Sequence, residues 1–115
     1  MIIDSFLTIF FLNHQHQSCA LYYSSTNQLI LRIYSQSYSS YEDQTMYNFT
    51  DHKIANVDIS SDKTMWALSH KTEGIYYGKL TEPGSAVNVF PVNGTYQNLV
   101  WRPNTKQLVF SNSPN

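Results

Sequence analysis

Positive charge is nearly missing from the first half of this sequence: before Lys53 the one formally positive side chain is Arg32. A surface that tracks a phosphate backbone needs several clustered Lys or Arg residues, so nucleic-acid binding is not expected. Charged residues of either sign make up 13% of the chain, about half the usual share. Cysteine occurs once, as Cys19, which excludes an intrachain disulfide and any metal site built from several thiolates. Glycine occurs four times and never in a phosphate-cradling cluster or a Gly-x-Ser-x-Gly elbow. No apolar run is long enough for a transmembrane helix; the longest, Phe6 to Leu12, is far shorter than the roughly 20 residues required. That run lacks the basic leader of a signal peptide and carries Asp4 ahead of it, so a buried strand is the better reading.

What fills the space is aromatic and small polar. Nine Tyr and six Phe stand among abundant Ser, Thr, Asn and Gln, a composition that suits pleated, half-buried strands and short turns. Strands are expected over about 6–12, 18–24, 28–35, 44–49, 54–59, 64–69, 74–80, 87–91, 97–102 and 106–111. The breaks between them have turn chemistry, as in Ser60-Ser61-Asp62-Lys63, Glu82-Pro83-Gly84-Ser85 and Arg102-Pro103-Asn104. No window carries a capped apolar stripe of helical period, so almost no helix is expected.

The strands repeat. Leu21-Tyr22-Tyr23-Ser24, Met65-Trp66-Ala67-Leu68-Ser69 and Leu108-Val109-Phe110-Ser111 stand 44 and then 43 positions apart, counted from Leu21, Met65 and Leu108. Before the second and third comes an alternating pair, Val57/Ile59 and Leu99/Trp101, and then a polar turn. A period of about 40–45 residues with four strands is that of a propeller blade. The expected fold is therefore all-β, with antiparallel four-stranded blades of an incomplete β-propeller of about two and a half blades. The blade-like units run about 6–52, 53–92 and 93–115 of one partial propeller segment. Because a closed ring needs at least four blades, open blade faces and unpaired edges are expected to invite association.

Leu99-Val100-Trp101-Arg102-Pro103-Asn104-Thr105-Lys106-Gln107-Leu108-Val109-Phe110-Ser111 resembles the WD40-like blade motif of TolB-type propellers and of the N-terminal propeller of dipeptidyl peptidase IV-like enzymes. Val57 to Lys63 is a looser copy that keeps Ser60 and Asp62 of the families' Ser-Pro-Asp-Gly turn. Arg102 stands for the Ser, Ser61 for the Pro, and neither turn has the Gly. Receptor propellers of the Tyr-Trp-Thr-Asp type share the spacing, with Tyr22-Tyr23-Ser24 as a loose echo. The resemblance implies a non-catalytic protein-interaction scaffold. The alternative it implies is the N-terminal propeller portion of a serine peptidase whose catalytic domain lies outside these residues, or a stretch of an extracellular receptor propeller. The latter two lean towards a secreted or extracellular setting.

Candidate sites are few. His14 and His16 fall on one face of a strand, as two metal ligands would, but no third ligand is indicated, and a solvated loop is the ordinary reading. Glu42-Asp43 are adjacent, so their side chains diverge and make poor acid/base partners. Cys19, beside Ala20-Leu21-Tyr22, reads as an inert buried thiol. No cofactor is implied, and the chain is not expected to be an enzyme. Trp66 and Trp101 are expected to pack between blades with their indole N–H groups bonded to backbone. The longest polar connection, Gln36 to Asp43, contains Tyr38 and Tyr41, the expected contact residues for a protein or peptide partner, including a chain that completes the propeller. Asn48 and Asn93 head N-x-Thr sequons and are glycosylation candidates. Chance supplies such triplets in a chain this rich in Asn, Ser and Thr, so they do not fix a compartment.

Overall fold

A computed structural model describes residues 5–12, 17–35, 37, 39–50, 54–90 and 95–113. Among these the chain is all-β, with ten strands, antiparallel pairing throughout and no helix. It divides into two compact units, Met1–His52 and Lys53–Asn115.

The first unit is a four-stranded meander of β1 (Ser5–Leu12), β2 (Gln17–Tyr23), β3 (Gln28–Tyr34) and β4 (Tyr41–Asn48), in spatial order β1-β2-β3-β4. β2 and β3 pair across a short connection rich in turn formers. Between β2 and β3, Asn27 donates its N–H to the Ser24 carbonyl at 3.0 Å and takes φ 63°. Asn tolerates that left-handed conformation better than most residues. The Ser24 hydroxyl accepts the Gln28 N–H at 3.1 Å and closes the turn from inside. Cys19 through Tyr23 and Leu29 through Leu31 are buried, which accounts for the apolar runs in β2 and β3.

One expectation is corrected here. The polar connection from Gln36 to Asp43 is shorter than the composition implied, because Tyr41, Glu42 and Asp43 are the first residues of β4. Cross-strand pairing explains it: Tyr34 faces Tyr41 and Arg32 faces Asp43, so the ladder gains ring and ion contacts that carry polar residues into the strand.

The second unit begins with another meander, β5 (Ile54–Ile59), β6 (Met65–His70), β7 (Gly74–Lys79) and β8 (Val87–Phe90), in order β5-β6-β7-β8. A hairpin follows, β9 (Thr95–Trp101) and β10 (Leu108–Ser113). Trp66 lies opposite Gly78 across β6 and β7, and a Cβ at Gly78 would stand 2.7 Å from the indole Nε1. Only glycine lets the ring lie flat on the neighbouring strand there. His70 is fully buried, and its Nδ1 accepts the N–H groups of Thr72 and Glu73, each at 3.1 Å, which organises the β6–β7 turn. An accepting Nδ1 places the ring proton on Nε2, which stands 3.7 Å from Glu73 Oε2.

The hairpin covers the sheet through a cluster of buried side chains: Ala67 from β6, Ile75 from β7, and Tyr96, Leu99 and Trp101 from β9. Strict alternation would point Tyr96 away from Leu99 and Trp101. Asn98 resolves this by taking φ 56°, at the point where the β9–β10 register shifts. A bulge residue reverses the alternation, so all three large side chains reach the same face.

Leu21, Met65 and Leu108 each lie on the second strand of their sheet. Met65 and Leu108 are the first residues of β6 and β10, so their 43-residue separation relates equivalent positions. Leu21 is the fifth residue of β2, displaced beyond the usual uncertainty of strand ends. The 44-residue spacing thus relates equivalent strands in the first unit, not equivalent residues.

Candidate functional site

Two hairpin turns, one from each part of the second unit, are built alike and touch. In the β5–β6 turn, Ser60 donates its N–H to the Met65 carbonyl at 2.9 Å and Lys63 donates to the Ser60 carbonyl at 2.9 Å. In the β9–β10 turn, Arg102 donates to the Gln107 carbonyl at 2.8 Å and Thr105 to the Arg102 carbonyl at 3.1 Å. Each pair of bonds in the second turn is the first pair moved 42 residues along the chain. The corners differ in chemistry. Lys63 takes φ 61° in the first turn, whereas Asn104 takes φ 61° in the second, directly after Pro103. Proline followed by a left-handed residue is what a type II turn requires.

The bonds between the turns repeat this offset. The Trp101 N–H donates to Asp58 Oδ2 at 2.8 Å, 43 residues away. The Asn104 N–H donates to the Ser61 hydroxyl at 2.8 Å, again 43 residues away. Lys106 Nζ donates to Asp62 Oδ2 at 2.7 Å across 44 residues and to the Thr64 hydroxyl across 42. The Asp62 carboxyl is held well below the usual carboxylate range, first by Lys106 and then by the hydroxyls of Thr64 and Ser60.

Below these turns, between the hairpin and the four-stranded sheet, runs a groove of about 540 Å³. Among the described residues its lining is Met65, Tyr77, Val89, Trp101, Leu108 and Phe110, with Lys106 as the one charged member. Met65, Tyr77, Leu108 and Phe110 also pack on the buried cluster, so the groove continues the core outward. Its size is that of an ordinary small-molecule or side-chain pocket, about 300–1,000 Å³. Trp66 and Trp101 are both buried, but the expectation that their N–H groups bond to backbone fails for Trp101. Its Nε1 is buried without a hydrogen-bond partner among the described residues, because the ring lies in an apolar cluster that offers no acceptor. On the hairpin's opposite face the cross-strand pair Val100 and Val109 is 46% and 52% exposed, a patch far more open than the groove.

The first unit carries a different constellation, around Arg32. Its Nε and a terminal nitrogen donate to the two oxygens of Asp43 at 2.8 and 3.0 Å. That terminal nitrogen also donates to the Tyr22 hydroxyl at 3.2 Å, and the hydroxyl donates onward to Asp43 at 3.2 Å. The guanidinium lies over the Tyr41 ring, 3.7 Å from its centroid. Hydrogen bonding to Asp43 raises the Arg32 pKa, so the charge is permanent, while burial and then Asp43 push the Tyr22 phenol up.

Of the residues expected to contact a partner, Tyr41 is 56% exposed, yet it opens β4 and its ring covers a buried cation. Tyr38 lies outside the described residues, as do Asn93, His14 and His16. Asn48 ends β4 with an exposed side chain that accepts from Gln28 at 2.9 Å. Cys19 is fully buried. Among the described residues no group of three His, Cys, Asp or Glu could hold a metal ion, and no helix is long and apolar enough to cross a membrane.

Neither the Arg32 constellation nor the groove stood out in the sequence. A signal for the first existed: one cation inside the apolar run Leu29–Ile33 must find a partner if that run is buried. The groove had none, since it depends on how far the hairpin covers the sheet. Comparison with family models, with curated proteins and with solved structures finds no match to this chain.

Proposed function

We propose that the chain is a non-catalytic β-propeller segment that serves as a protein-interaction scaffold, its sheets being successive blades. The observation that supports this most is the set of hydrogen bonds joining residues 42–44 apart, Trp101 to Asp58, Asn104 to Ser61 and Lys106 to Asp62 and Thr64. In stacked repeats each unit touches its neighbour through equivalent places, so chain separation at the contact equals the repeat length. A sandwich or small barrel of the same strands has no reason to keep that equality. The absence of a recognisable catalytic constellation in the sequence agrees with a binding role. Blades of this kind present loops and faces to other polypeptides.

Sedimentation velocity combined with hydrogen exchange tests the reading. The face carrying Val100 and Val109 belongs, on this view, against a further blade. The chain alone is expected to associate with rising concentration, and Val109→Lys is expected to reverse this while the β5–β7 amides stay protected. A compact monomer at all concentrations, with β9 and β10 as protected as β6, overturns the proposal.

A further inference from the structure

We propose that Asn48 is an N-glycosylation site, its Nδ2 carrying an oligosaccharide received from a lipid pyrophosphate donor, which puts this chain on the secretory route. The proposal is independent of the scaffold reading and says on which side of a membrane such a scaffold would work.

The sequon alone decides nothing, because Asn-Phe-Thr arises by chance in a chain of this composition. The fold adds three observations. The first is exposure. Phe49 is buried and donates its N–H to the Asn27 carbonyl at 2.8 Å. With the middle residue held inward, Asn48 and Thr50 both face solvent. The acceptor amide and the hydroxyl two residues on, both of which the sequon requires, therefore reach the surface together.

The second is the orientation of the amide. Gln28 lies opposite Asn48 in the β3–β4 ladder. The Thr26 hydroxyl donates to Gln28 Oε1 at 3.0 Å, which leaves Gln28 Nε2 to donate to Asn48 Oδ1 at 2.9 Å. The oxygen of the Asn48 amide is thus engaged and its nitrogen is not, since no described residue accepts from Nδ2. A sugar on Nδ2 leaves Oδ1 an acceptor, so the link to Gln28 survives modification. The third is place. Asn48 is the last residue of β4, the outermost strand of the first sheet among the described residues, so a glycan leaves from the margin of the sheet. Asn93 lies outside the described residues and is no part of the proposal.

In the transfer, Nδ2 bonds to the anomeric carbon of the first sugar and gives up one proton. The bond from that carbon to the pyrophosphate oxygen breaks, and the lipid pyrophosphate departs with the electron pair. Nothing is oxidised or reduced. The nascent chain is the acceptor, so the native fold has only to accommodate the product.

The test uses protein purified from the cells that make it, digested and treated with a glycan-releasing amidase in heavy-oxygen water. Mass spectrometry is expected to find the Asn48 peptide as a glycopeptide before treatment and mainly as heavy-oxygen-labelled aspartate after it. Thr50→Ala, expressed in the same cells, should lose both signals, and Thr50→Ser should restore them in part. Amide protection in β3 and β4 and the urea midpoint should be the same before and after glycan removal, because an aspartate at this position still accepts from Gln28. An unmodified Asn48 in the natural protein overturns the proposal. So does a label that persists in Thr50→Ala, which would be spontaneous deamidation, and so does a glycosylated form whose β4 amides lose protection. None of these results bears on association through Val100 and Val109, so the scaffold reading stands or fails separately.

Discussion

The two units solve one problem in opposite ways. Both begin with a four-stranded antiparallel meander, and both use the same serine-led turn: Ser24 to Asn27 and Ser60 to Lys63 share the hydroxyl-to-N–H closure and the left-handed fourth residue. In the second unit a hairpin lies on the sheet, and buried apolar side chains join the two layers. In the first, β2, β3 and β4 are tied across one face by a cation, a carboxylate and two phenol rings. An apolar layer is forgiving of shape and costs nothing in desolvated charge, whereas an ionic tie is directional and fails abruptly when one member goes. The same meander can therefore be held by packing or by geometry, and the two should respond differently to substitution.

The largest effect is expected where packing carries the load. Leu99 is 2% exposed at the centre of the hairpin-to-sheet cluster, so Leu99→Ala should cost about 3 kcal/mol, within the usual 2–5 kcal/mol for such truncations. Urea titration measures the loss, and exchange should show β9 and β10 opening before β5–β7. A loss below about 1 kcal/mol would mean that the hairpin is not packed as described.

The ionic tie comes next. Asp43→Ala leaves the Arg32 guanidinium buried without its carboxylate and should cost about 2 kcal/mol, below the 3–5 kcal/mol of fully buried pairs because the Asp43 side chain keeps 31% exposure. Replacing both, as Arg32→Met with Asp43→Leu, should recover most of that loss, a recovery with no counterpart in the second unit. The same constellation sets an alkaline limit. Burial and Asp43 raise the Tyr22 pKa, so its contribution is fully present below the ordinary tyrosine value near about pH 10 and is lost as pH climbs through the raised one. The alkaline unfolding limb of Tyr22→Phe should lack that component.

How far the sequence foretold these features follows from the range of the interactions involved. Strands and turns were readable because they depend on neighbours: Asn27 and Asn104 announce left-handed corners, and Ile54–Ile59 alternates visibly. Tyr41 to Asp43 reads as a connection in the sequence because strand formation there depends on Arg32 and Tyr34 across the sheet. The bulge at Asn98 was invisible for a related reason. Tyr96 and Leu99 look out of phase on paper, and only the buried cluster makes the reversal worthwhile. The groove is further still from local signals, being the difference in width between two layers.

The smallest expected effect tests the contact between the repeated turns. Lys106 and Asp62 are more than half exposed, so their attraction is screened and Lys106→Gln should barely change stability near neutral pH. Acid should erase whatever small difference remains at neutral pH. A carboxyl whose pKa is lowered in the folded state contributes above its ordinary value near about 3.9, and that contribution disappears as pH falls towards the depressed one. Wild type should therefore lose stability more steeply than Lys106→Gln between about pH 4 and pH 2, and 1 M salt should bring the two curves together. Identical acid limbs at low salt would mean that the Lys106–Asp62 link is not held in solution. The contact between the turns would then rest on the main-chain N–H groups that Trp101 donates to the Asp58 carboxylate and Asn104 to the Ser61 hydroxyl.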